Sequence, residues 1–325
     1  MRKLYALGEA LIDFIPNVTN SELKDVEQFS RQVGGAPANV ASTAQKLGAH
    51  AEMVTQLGND AFGDIIIETL ENIGVGVHHI KRTDIANTAL AFVSLREDGQ
   101  RDFSFYRKPS ADMLYQSSYL DDITITEADV MHFCSVDLVE SDMKQAHQTL
   151  IDKFKAANGT IVFDPNVRLP LWDSAEACQK AIQEFIPKAN IVKVSDEEIE
   201  FITGERDEHK GIQSLFKGDV EAVIYTQGPN GASIILKDGT TIRHEGFKVK
   251  AIDTTGAGDA FIGAAISKIL NSSNTSITEL FKNEGQEILQ FSNLVAAKVT
   301  TQYGAIESIP TLEEVNKELE KFSLK

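Results

Sequence analysis

The stretch from Asp253 to Phe261, with the sequence DTTGAGDAF, constrains this chain more than any other. Small residues precede the carboxylate of Asp259, and an apolar pattern of helical spacing follows. Small residues at a helix start let a ligand approach unpaired backbone N–H groups, and the helix dipole favours an anion there. A carboxylate is unfavourable in an anion site unless it takes part in chemistry. We therefore interpret the stretch as a phosphate-handling site with Asp259 as a base; the alternative is a glycine turn capped by an aspartate.

Length and charge limit the remaining possibilities. A chain of 325 residues can form one large α/β domain or two ordinary ones. It carries 31 basic and 48 acidic residues, and a net charge of −17 argues against general nucleic-acid binding. Two cysteines, Cys134 and Cys178, suit neither a zinc site nor a disulfide framework. Glu9 and Asp13 interrupt the apolar N-terminal run, so we expect no signal peptide, no membrane span and a cytoplasmic location.

An alternation of short apolar runs with helical patterns predicts a parallel sheet with right-handed crossovers. We expect strands at 3–15, 51–57, 77–80, 130–134, 161–163, 191–195, 222–226 and 232–236, and a β segment at 240–250. We expect helices at 38–47, 63–73, 141–157, 174–187, 286–301 and 311–321, one that opens at Ser195, and one after Asp259. No repeat or linker divides the chain, so one domain is expected.

The rhythm changes between residues 88 and 107. The runs 88–95 and 101–107 alternate apolar and polar residues around an Asp-Gly turn at 97–100, which is typical of a β-hairpin. A hairpin inserted in an α/β chain is a candidate lid, and the segment 14–33 could supply further strands. Arg107 at the hairpin's end is a candidate anchor for substrate oxygens, although a strand-end arginine is often a solvated charge.

Polar residues stand where an open α/β sheet binds its ligands. Asp164, Asn166 and Arg168 directly follow a predicted strand, and ligands bind at the carboxyl ends of parallel strands. Asp13 lies among apolar residues, where a lone carboxylate needs donors from backbone or ligand. Glu198 follows the capping serine of a helix start and could reach a metal instead of serving the cap.

Several familiar catalytic motifs are absent from the sequence. No glycine is followed by lysine, which excludes a Walker A loop, and the glycine pairs at 256–258 and 74–76 lack the third glycine of a dinucleotide fingerprint. There is no G-x-S-x-G elbow and no H-E-x-x-H helix. The remaining parts, an anion cradle and a carboxylate, suit phosphoryl transfer, which depends on positioning, charge stabilisation and a base.

Two motifs together, GGAPAN at 34–39 and DTTGAGD at 253–259, resemble the two signatures of the ribokinase-like (PfkB) carbohydrate kinases. The segments GEALIDF (8–14), YRKPSAD (106–112) and FDPNVRLPLW (163–172) look most like the fructokinase branch. The resemblance implies a three-layer α/β/α fold over residues 1–325, with a mostly parallel central sheet. It also implies a small β lid built from about 14–33 and 86–112, and a homodimer formed through that lid.

The resemblance also implies roles for individual residues. Asp259 resembles the general base, and the backbone N–H groups of Gly256, Ala257 and Gly258 resemble the anion hole. The positions that resemble sugar contacts are Asp13, Gly34, Gly35, Asn39, Tyr106, Arg107, Asn166 and Arg168. Those that resemble nucleotide contacts are Lys193, Thr226, Gly228, Gly231 and Asn293. Glu198 matches a magnesium-linked glutamate that acts directly or through water, although Ser195 stands where that motif has asparagine. Asp253, Thr255 and Gly304 resemble a monovalent-cation site.

The implied activity is transfer of the γ-phosphoryl group of ATP to a sugar hydroxyl, with Mg²⁺ and, in some members, K⁺. The first hypothesis is a fructokinase that makes fructose 6-phosphate. The alternatives within the fold are 2-keto-3-deoxygluconate kinase, ribokinase and other sugar or nucleoside kinases. From other classes, a non-catalytic sugar or nucleotide sensor and a nicotinamide-dependent oxidoreductase remain open.

Overall fold

A computed structural model of the protein describes residues 2–18, 20–95, 101–274 and 276–323, which contain two β-sheets. The strands of the larger sheet are β1 (Lys3–Leu7), β4 (His50–Gly58), β5 (Gly76–Thr83), β8 (Val130–Cys134), β9 (Thr160–Asp164), β10 (Ile191–Ser195), β11 (Ala222–Thr226), β12 (Ala232–Leu236) and β13 (Thr241–His244). The strands of the smaller sheet are β2 (Leu11–Pro16), β3 (Phe29–Gly34), β6 (Leu90–Leu95) and β7 (Arg101–Tyr106). The helices are α1 (Ala36–Lys46), α2 (Ala61–Ile73), α3 (Asp142–Ala156), α4 (Ala175–Phe185), α5 (Asp196–Thr203), α6 (Glu208–Ser214), α7 (Ala257–Asn271), α8 (Ile277–Val299) and α9 (Leu312–Ser323).

The large sheet is mostly parallel, as predicted. Its nine described strands have the order β13-β12-β11-β10-β9-β8-β1-β4-β5. The strands from β5 to β11 pair in parallel, and β12 and β13 are antiparallel additions at one edge. All parallel strands therefore end at the same edge of the sheet, which is where such sheets bind ligands.

Two apolar cores separate the sheet from helices on its two faces. Residues of a strand alternate between the cores, so that Val162 of β9 packs on one side and Ile161 and Phe163 pack on the other. The first core includes residues of α1, α2, α7 and α8, and the second includes residues of α3, α4, α5 and α6. This arrangement is the predicted three-layer α/β/α fold.

The small sheet has the strand order β3-β2-β6-β7. The pair β6 and β7 is antiparallel, as expected for the inserted hairpin, whereas β2 and β6 are parallel. Its described strands span Leu11–Gly34 and Leu90–Tyr106, close to the segments 14–33 and 86–112 predicted for the lid. The predicted Asp-Gly turn at 97–100 lies outside the described residues.

The prediction of one strand over residues 3–15 is wrong. The chain leaves the large sheet after Leu7, passes through Gly8 with φ of 143°, and enters the small sheet at Leu11. An uninterrupted apolar run does not reveal that its two halves pair with different partners. The carboxylate of Glu9, which is only 3% exposed, marks the break.

Two other predictions of element boundaries need correction, and one helix was missed. Helix α8 begins at Ile277 rather than at 286; the hydroxyl of Ser276 caps it by accepting the N–H of Glu279. The helix includes Gly285, a residue that disfavours helix, but Phe281 is fully buried and compensates. Strand β13 ends at His244, so the β segment predicted over 240–250 is mostly irregular. Helix α6 was not predicted.

Candidate active site

A pocket opens between the strand-end edge of the large sheet and one face of the small sheet. It brings together eight of the residues singled out from the sequence: Asp13, Gly35, Asn39, Asn166, Arg168, Thr255, Gly256 and Asp259. These residues span most of the chain, from the first strand of the small sheet to the start of α7. Folding therefore assembles the two signature motifs and the segment after β9 into one site.

The small sheet supplies one wall of this pocket through alternate residues of β2. Leu11, Asp13 and Ile15 line the pocket, as do Val93 of β6 and Phe105 of β7. Successive side chains of a strand point to opposite faces, so one carboxylate stands among apolar side chains on this wall. Such a surface suits a polyol, which presents both hydroxyls and C–H groups.

The opposite face of the small sheet carries an aromatic cluster. Phe14 stacks on Phe92 with ring centroids 4.7 Å apart, and the Tyr106 ring lies edge-on to Phe92 at 5.3 Å. Tyr106 is 62% exposed and does not belong to the pocket wall described above. Gly34 is likewise outside the wall, but a side chain there would overlap the carboxylate of Asp13.

Asp259 lies in the first turn of α7 and is held by two side-chain amides. Asn39 donates through Nδ2 to Oδ2 at 2.8 Å, and Asn166 donates through Nδ2 to Oδ1 at 3.3 Å. Burial raises the pKa of Asp259, while the Asn39 hydrogen bond and the positive charges of Arg168 and Lys193 oppose that rise. The carboxylate is thus held by two hydrogen bonds and faces the pocket.

Asn39 reaches Asp259 because α1 begins tightly against the β1–β2 connection. Gly35 precedes the helix with φ of 99°, and a Cβ at this position would lie 2.5 Å from the carbonyl oxygen of Glu9. Only glycine combines this backbone conformation with so close an approach. The paired glycines at 34–35 therefore set the position of the first turn of α1, which carries Asn39.

The turn before α7 also requires glycine. Gly256 has φ of 73°, and a Cβ there would lie 2.6 Å from Cβ of Ala305. The first N–H groups of a helix lack intrahelical acceptors, so this turn has the character of an anion site. The N–H of Ala257 makes a long bond of 3.3 Å to the Thr254 carbonyl. Gly258 is exposed.

A buried ion pair lies directly under this turn. Nζ of Lys193 is 3.0 Å from Oδ2 of Asp164, and it is 3.4 Å from the point where Gly258 would carry a Cβ. Burial raises the pKa of Asp164 to about 7 despite the ammonium group beside it. The carboxylates of Asp164, Glu198 and Asp259 raise the pKa of Lys193, so its positive charge is firmly held beside the anion turn.

Glu198 serves the cap of α5 and interacts electrostatically with Lys193. Its Oε2 accepts from the backbone N–H and the hydroxyl of Ser195, at 3.0 and 2.8 Å, and its Oε1 accepts from the N–H of Val167 at 2.7 Å. The pKa of Glu198 is lowered mainly by Lys193, against the effect of burial. The capping interpretation of Ser195 is correct. The carboxylate stays ionised at the edge of the site.

Asp253, Thr255 and Gly304 lie together beside the anion turn. Oδ1 of Asp253 accepts from the backbone N–H and the hydroxyl of Thr255, at 2.9 and 2.6 Å, and Oδ2 accepts from the N–H of Gly304 at 3.3 Å. Asp253 is 8% exposed. A buried anionic oxygen pair next to the turn has the donor chemistry that a hard cation needs.

The residues predicted for the nucleotide side, apart from Lys193, lie around the ends of β11 and β13. Thr226 ends β11 and donates its hydroxyl to the Val194 carbonyl at 3.4 Å, and Gly228 and Gly231 bound the turn that follows. The amide of Asn293 on α8 lies 3.2 Å from Nδ1 of His244. None of the four is part of the pocket wall that holds Asp259.

Arg107 was predicted to bind substrate oxygens, but the structure places it in a buried group of ion pairs. Its guanidinium is 5% exposed, outside the pocket wall, and pairs through Nη2 with both Asp112 and Asp137. Sequence reasoning missed these two aspartates and Glu9, which lines the pocket. The sequence does contain a signal for Glu9, which is a charged residue within an apolar run. That charge served above only as an argument against a signal peptide.

The comparison with known proteins assigns the family. The model of the pfkB family carbohydrate kinases matches residues 1–312. The chain belongs to the pfkB family of carbohydrate kinases. Fructokinase-2 of Solanum habrochaites is 40% identical to this pfkB kinase over 314 residues, which are 96% of this chain and 94% of that protein.

Solved structures agree with this assignment. A fructokinase from Xylella fastidiosa with bound ATP superposes with a TM-score of 0.87 at 30% identity and covers 99% of both chains. A fructokinase from Vibrio cholerae O395 in the fructose, ADP and calcium ion bound form gives a TM-score of 0.88 at 28% identity and covers 98% of both. Within the described ranges, no helix of this pfkB kinase is long and apolar enough to cross a membrane.

Proposed function

We propose that the protein is an ATP-dependent fructokinase that converts D-fructose to fructose 6-phosphate. The observation that carries this proposal is the carboxylate of Asp259. It is buried in the pocket, bonded by the amides of Asn39 and Asn166, and located in the first turn of the helix that follows the anion turn. The fructokinases found among the similar sequences and structures support fructose as the acceptor.

In the proposed reaction, Asp259 accepts the proton of the fructose 6-hydroxyl as that oxygen attacks the γ-phosphorus. The bond from the 6-oxygen to phosphorus forms, the bond from phosphorus to the β–γ bridging oxygen breaks, and ADP leaves. Asp13 and Arg168 would bind other sugar hydroxyls, since both line the pocket. Holding acceptor and base in one geometry supplies much of the rate enhancement in phosphoryl transfer.

Groups at the start of α7 would stabilise the negative charge of the phosphoryl group during its transfer. The backbone N–H groups of the Gly256–Gly258 turn and the ammonium group of Lys193, which lies beside Gly258, would stabilise it, because preorganised donors act strongly in a partly buried site. Mg²⁺ would arrive with ATP and neutralise phosphate charge. Glu198 is the ionised side chain that would bind this ion through water.

The remaining assignments are part of the same proposal. Thr226, Gly228, Gly231 and Asn293 would contact the nucleotide. Asp253, Thr255 and the Gly304 loop would hold K⁺. A second copy of the chain would pack on the small sheet; exposed Tyr106 and the aromatic cluster beneath it support that face. Sedimentation of the wild type and of Tyr106→Glu tests the dimer, which a monomeric wild type would contradict.

A sugar panel tests the proposed activity. ADP release from MgATP is measured with fructose, ribose, 2-keto-3-deoxygluconate, glucose and a nucleoside, and the product of the best substrate is identified by NMR. We expect the highest kcat/KM with fructose and phosphate on the 6-oxygen. A higher value with another acceptor would replace fructose in the proposal. Tight sugar binding without ADP release would indicate a sensor.

A further inference from the structure

Four buried charged side chains form a cluster beside the sugar pocket. Glu9, Arg107, Asp112 and Asp137 are 3%, 5%, 1% and 1% exposed, respectively. One guanidinium thus faces three carboxyl groups. Breaking such a buried pair is costly, because the surviving charge loses its partner in a medium of low dielectric constant.

Hydrogen bonds join Arg107 to the aspartates of the cluster and Glu9 to a neighbouring backbone N–H group. Nη2 of Arg107 donates to Asp112 and to Asp137, and the hydroxyl of Ser110 also donates to Asp112. Glu9 accepts the N–H of Ala36 on Oε1 at 3.1 Å. Oδ2 of Asp137 lies against the β1–β2 connection that carries Glu9, 2.8 Å from the point where Gly8 would carry a Cβ. Burial and the charge of Asp137 raise the pKa of Glu9, and the charge of Arg107 opposes that rise.

The cluster lies where the small sheet joins the rest of the molecule. Glu9 belongs to the connection from β1 to β2, its partner Ala36 begins α1 directly after β3, and Arg107 directly follows β7. Asp137 follows β8 of the large sheet. Hydrogen bonds thus join Glu9 to the start of α1 and Arg107 to the large sheet, and Asp137 packs against Gly8 of the β1–β2 connection.

The same connections carry residues of the pocket wall. Asp13 lies four residues beyond Glu9 on β2, Gly35 lies beside Ala36, and Val136 adjoins Asp137. A displacement of the connections would move all three, whereas the guanidinium itself is outside the wall. Misplacement by about 1 Å can lower a rate by roughly a hundredfold.

We propose that Arg107 is a positioning residue: with Glu9, Asp112 and Asp137 it fixes the small sheet to the large sheet, and thereby sets the sugar pocket without bonding the sugar. The proposal rests on the proposed function in that the pocket is taken to bind a sugar. The charges of the cluster lead to a specific prediction. Removing the cation leaves carboxylates that repel, and removing one of those carboxylates relieves the repulsion.

A charge-balancing experiment tests this. We expect Arg107→Met to lower kcat/KM for the accepted sugar by roughly tenfold to a hundredfold, with a lower Tm. We expect the double variant Arg107→Met/Asp112→Asn to regain a large part of both quantities. Arg206→Met, which removes an arginine whose side chain is 91% exposed and lies between α5 and α6, is the matched control and should leave both unchanged. Recovery of Tm without recovery of kcat/KM would overturn the proposal, because a lost sugar contact cannot be restored at Asp112.

A second measurement uses Arg107→Lys, which keeps the charge and is the variant to use if Arg107→Met does not fold. KM is compared between wild type and variant for fructose and for analogues that each lack one hydroxyl. If Arg107 is a positioning residue, its substitution should raise KM by the same factor for fructose and for every analogue. An analogue whose KM is insensitive to the substitution would identify the hydroxyl that Arg107 binds and overturn the proposal. If the wild type does not phosphorylate fructose, the proposed function fails, and the same ratios on the sugar it accepts still decide the role of Arg107.

Discussion

Asn39 donates a 2.8 Å hydrogen bond to Asp259 across 220 positions of sequence. The bond joins the first turn of α1 to the first turn of α7, so the two signature motifs meet at one carboxylate. It orients Oδ2, and Asn166 donates to Oδ1, so both carboxylate oxygens accept a hydrogen bond. In the proposed reaction, this orientation would hold Asp259 ready to accept the hydroxyl proton.

The first prediction concerns Asp259→Asn. Asparagine preserves the shape of the side chain but cannot accept the hydroxyl proton, so we expect turnover to fall by roughly two to four orders of magnitude, the range for loss of a general base. Sugar affinity measured by calorimetry should change little. Turnover close to that of the wild type would remove Asp259 from the base role.

The second prediction concerns pH. Because burial raises the pKa of Asp259, kcat/KM for fructose should fall on the acid side at a higher pH than an exposed aspartate would give. Asn39 bonds the ionised form and lowers this pKa, so Asn39→Ala should move the acid limb to still higher pH. The variant should therefore lose more activity at mildly acidic than at neutral pH. An acid limb that stays in place, measured at saturating MgATP, would contradict the assignment.

The sequence predicts those parts of the candidate site that local patterns specify. Asp259, the glycines before it and the Gly34–Gly35 pair stand in short motifs, each with a steric or electrostatic reason readable from neighbouring residues. The parallel sheet followed from the alternation of strands and helices, and ligand residues after β9 followed from the rule for strand ends. These expectations needed no knowledge of distant contacts.

What the sequence could not supply is the partner of each buried charge. Arg107 looked like a free cation at the end of a strand, but Asp137 lies 30 positions away and neutralises it. Similarly, nothing local indicated that residues 3–15 would be divided between two sheets at Gly8 and Glu9. Pairings of this kind are decided by tertiary packing, since an arginine at a strand end looks the same whether its partner is solvent or a buried aspartate.

The third prediction separates backbone strain from packing at the anion turn. Gly256→Ala places a side chain at positive φ and against Ala305, whereas Gly239→Ala has a similar φ of 90° with no atom within 4 Å. We expect Gly239→Ala to cost about 1–2 kcal/mol of unfolding free energy through strain alone. Gly256→Ala should cost more and should also lower kcat and raise the KM for ATP. Equal stability losses, measured by urea denaturation, would show that Ala305 moves aside without cost.

The fourth prediction concerns the ion pair under the turn. Lys193→Met leaves Asp164 buried without its partner, and removing one member of a buried pair costs about 3–5 kcal/mol when the other stays charged. The pKa of Asp164 is already about 7, so its carboxyl group can take up a proton near neutral pH. We therefore expect the free energy of unfolding to fall by about 3 kcal/mol or less. This loss of stability should grow as the pH rises, because the unpaired carboxyl group then becomes charged. Adding Asp164→Asn removes the unpaired charge and should restore most of the stability. It should not restore turnover, because the ammonium group beside Gly258 is still missing.

Lys193→Met and the double variant are therefore compared by denaturation and by kcat with MgATP at saturating sugar. If kcat recovers together with stability, Lys193 supports the turn only through packing and does not act on the phosphoryl group.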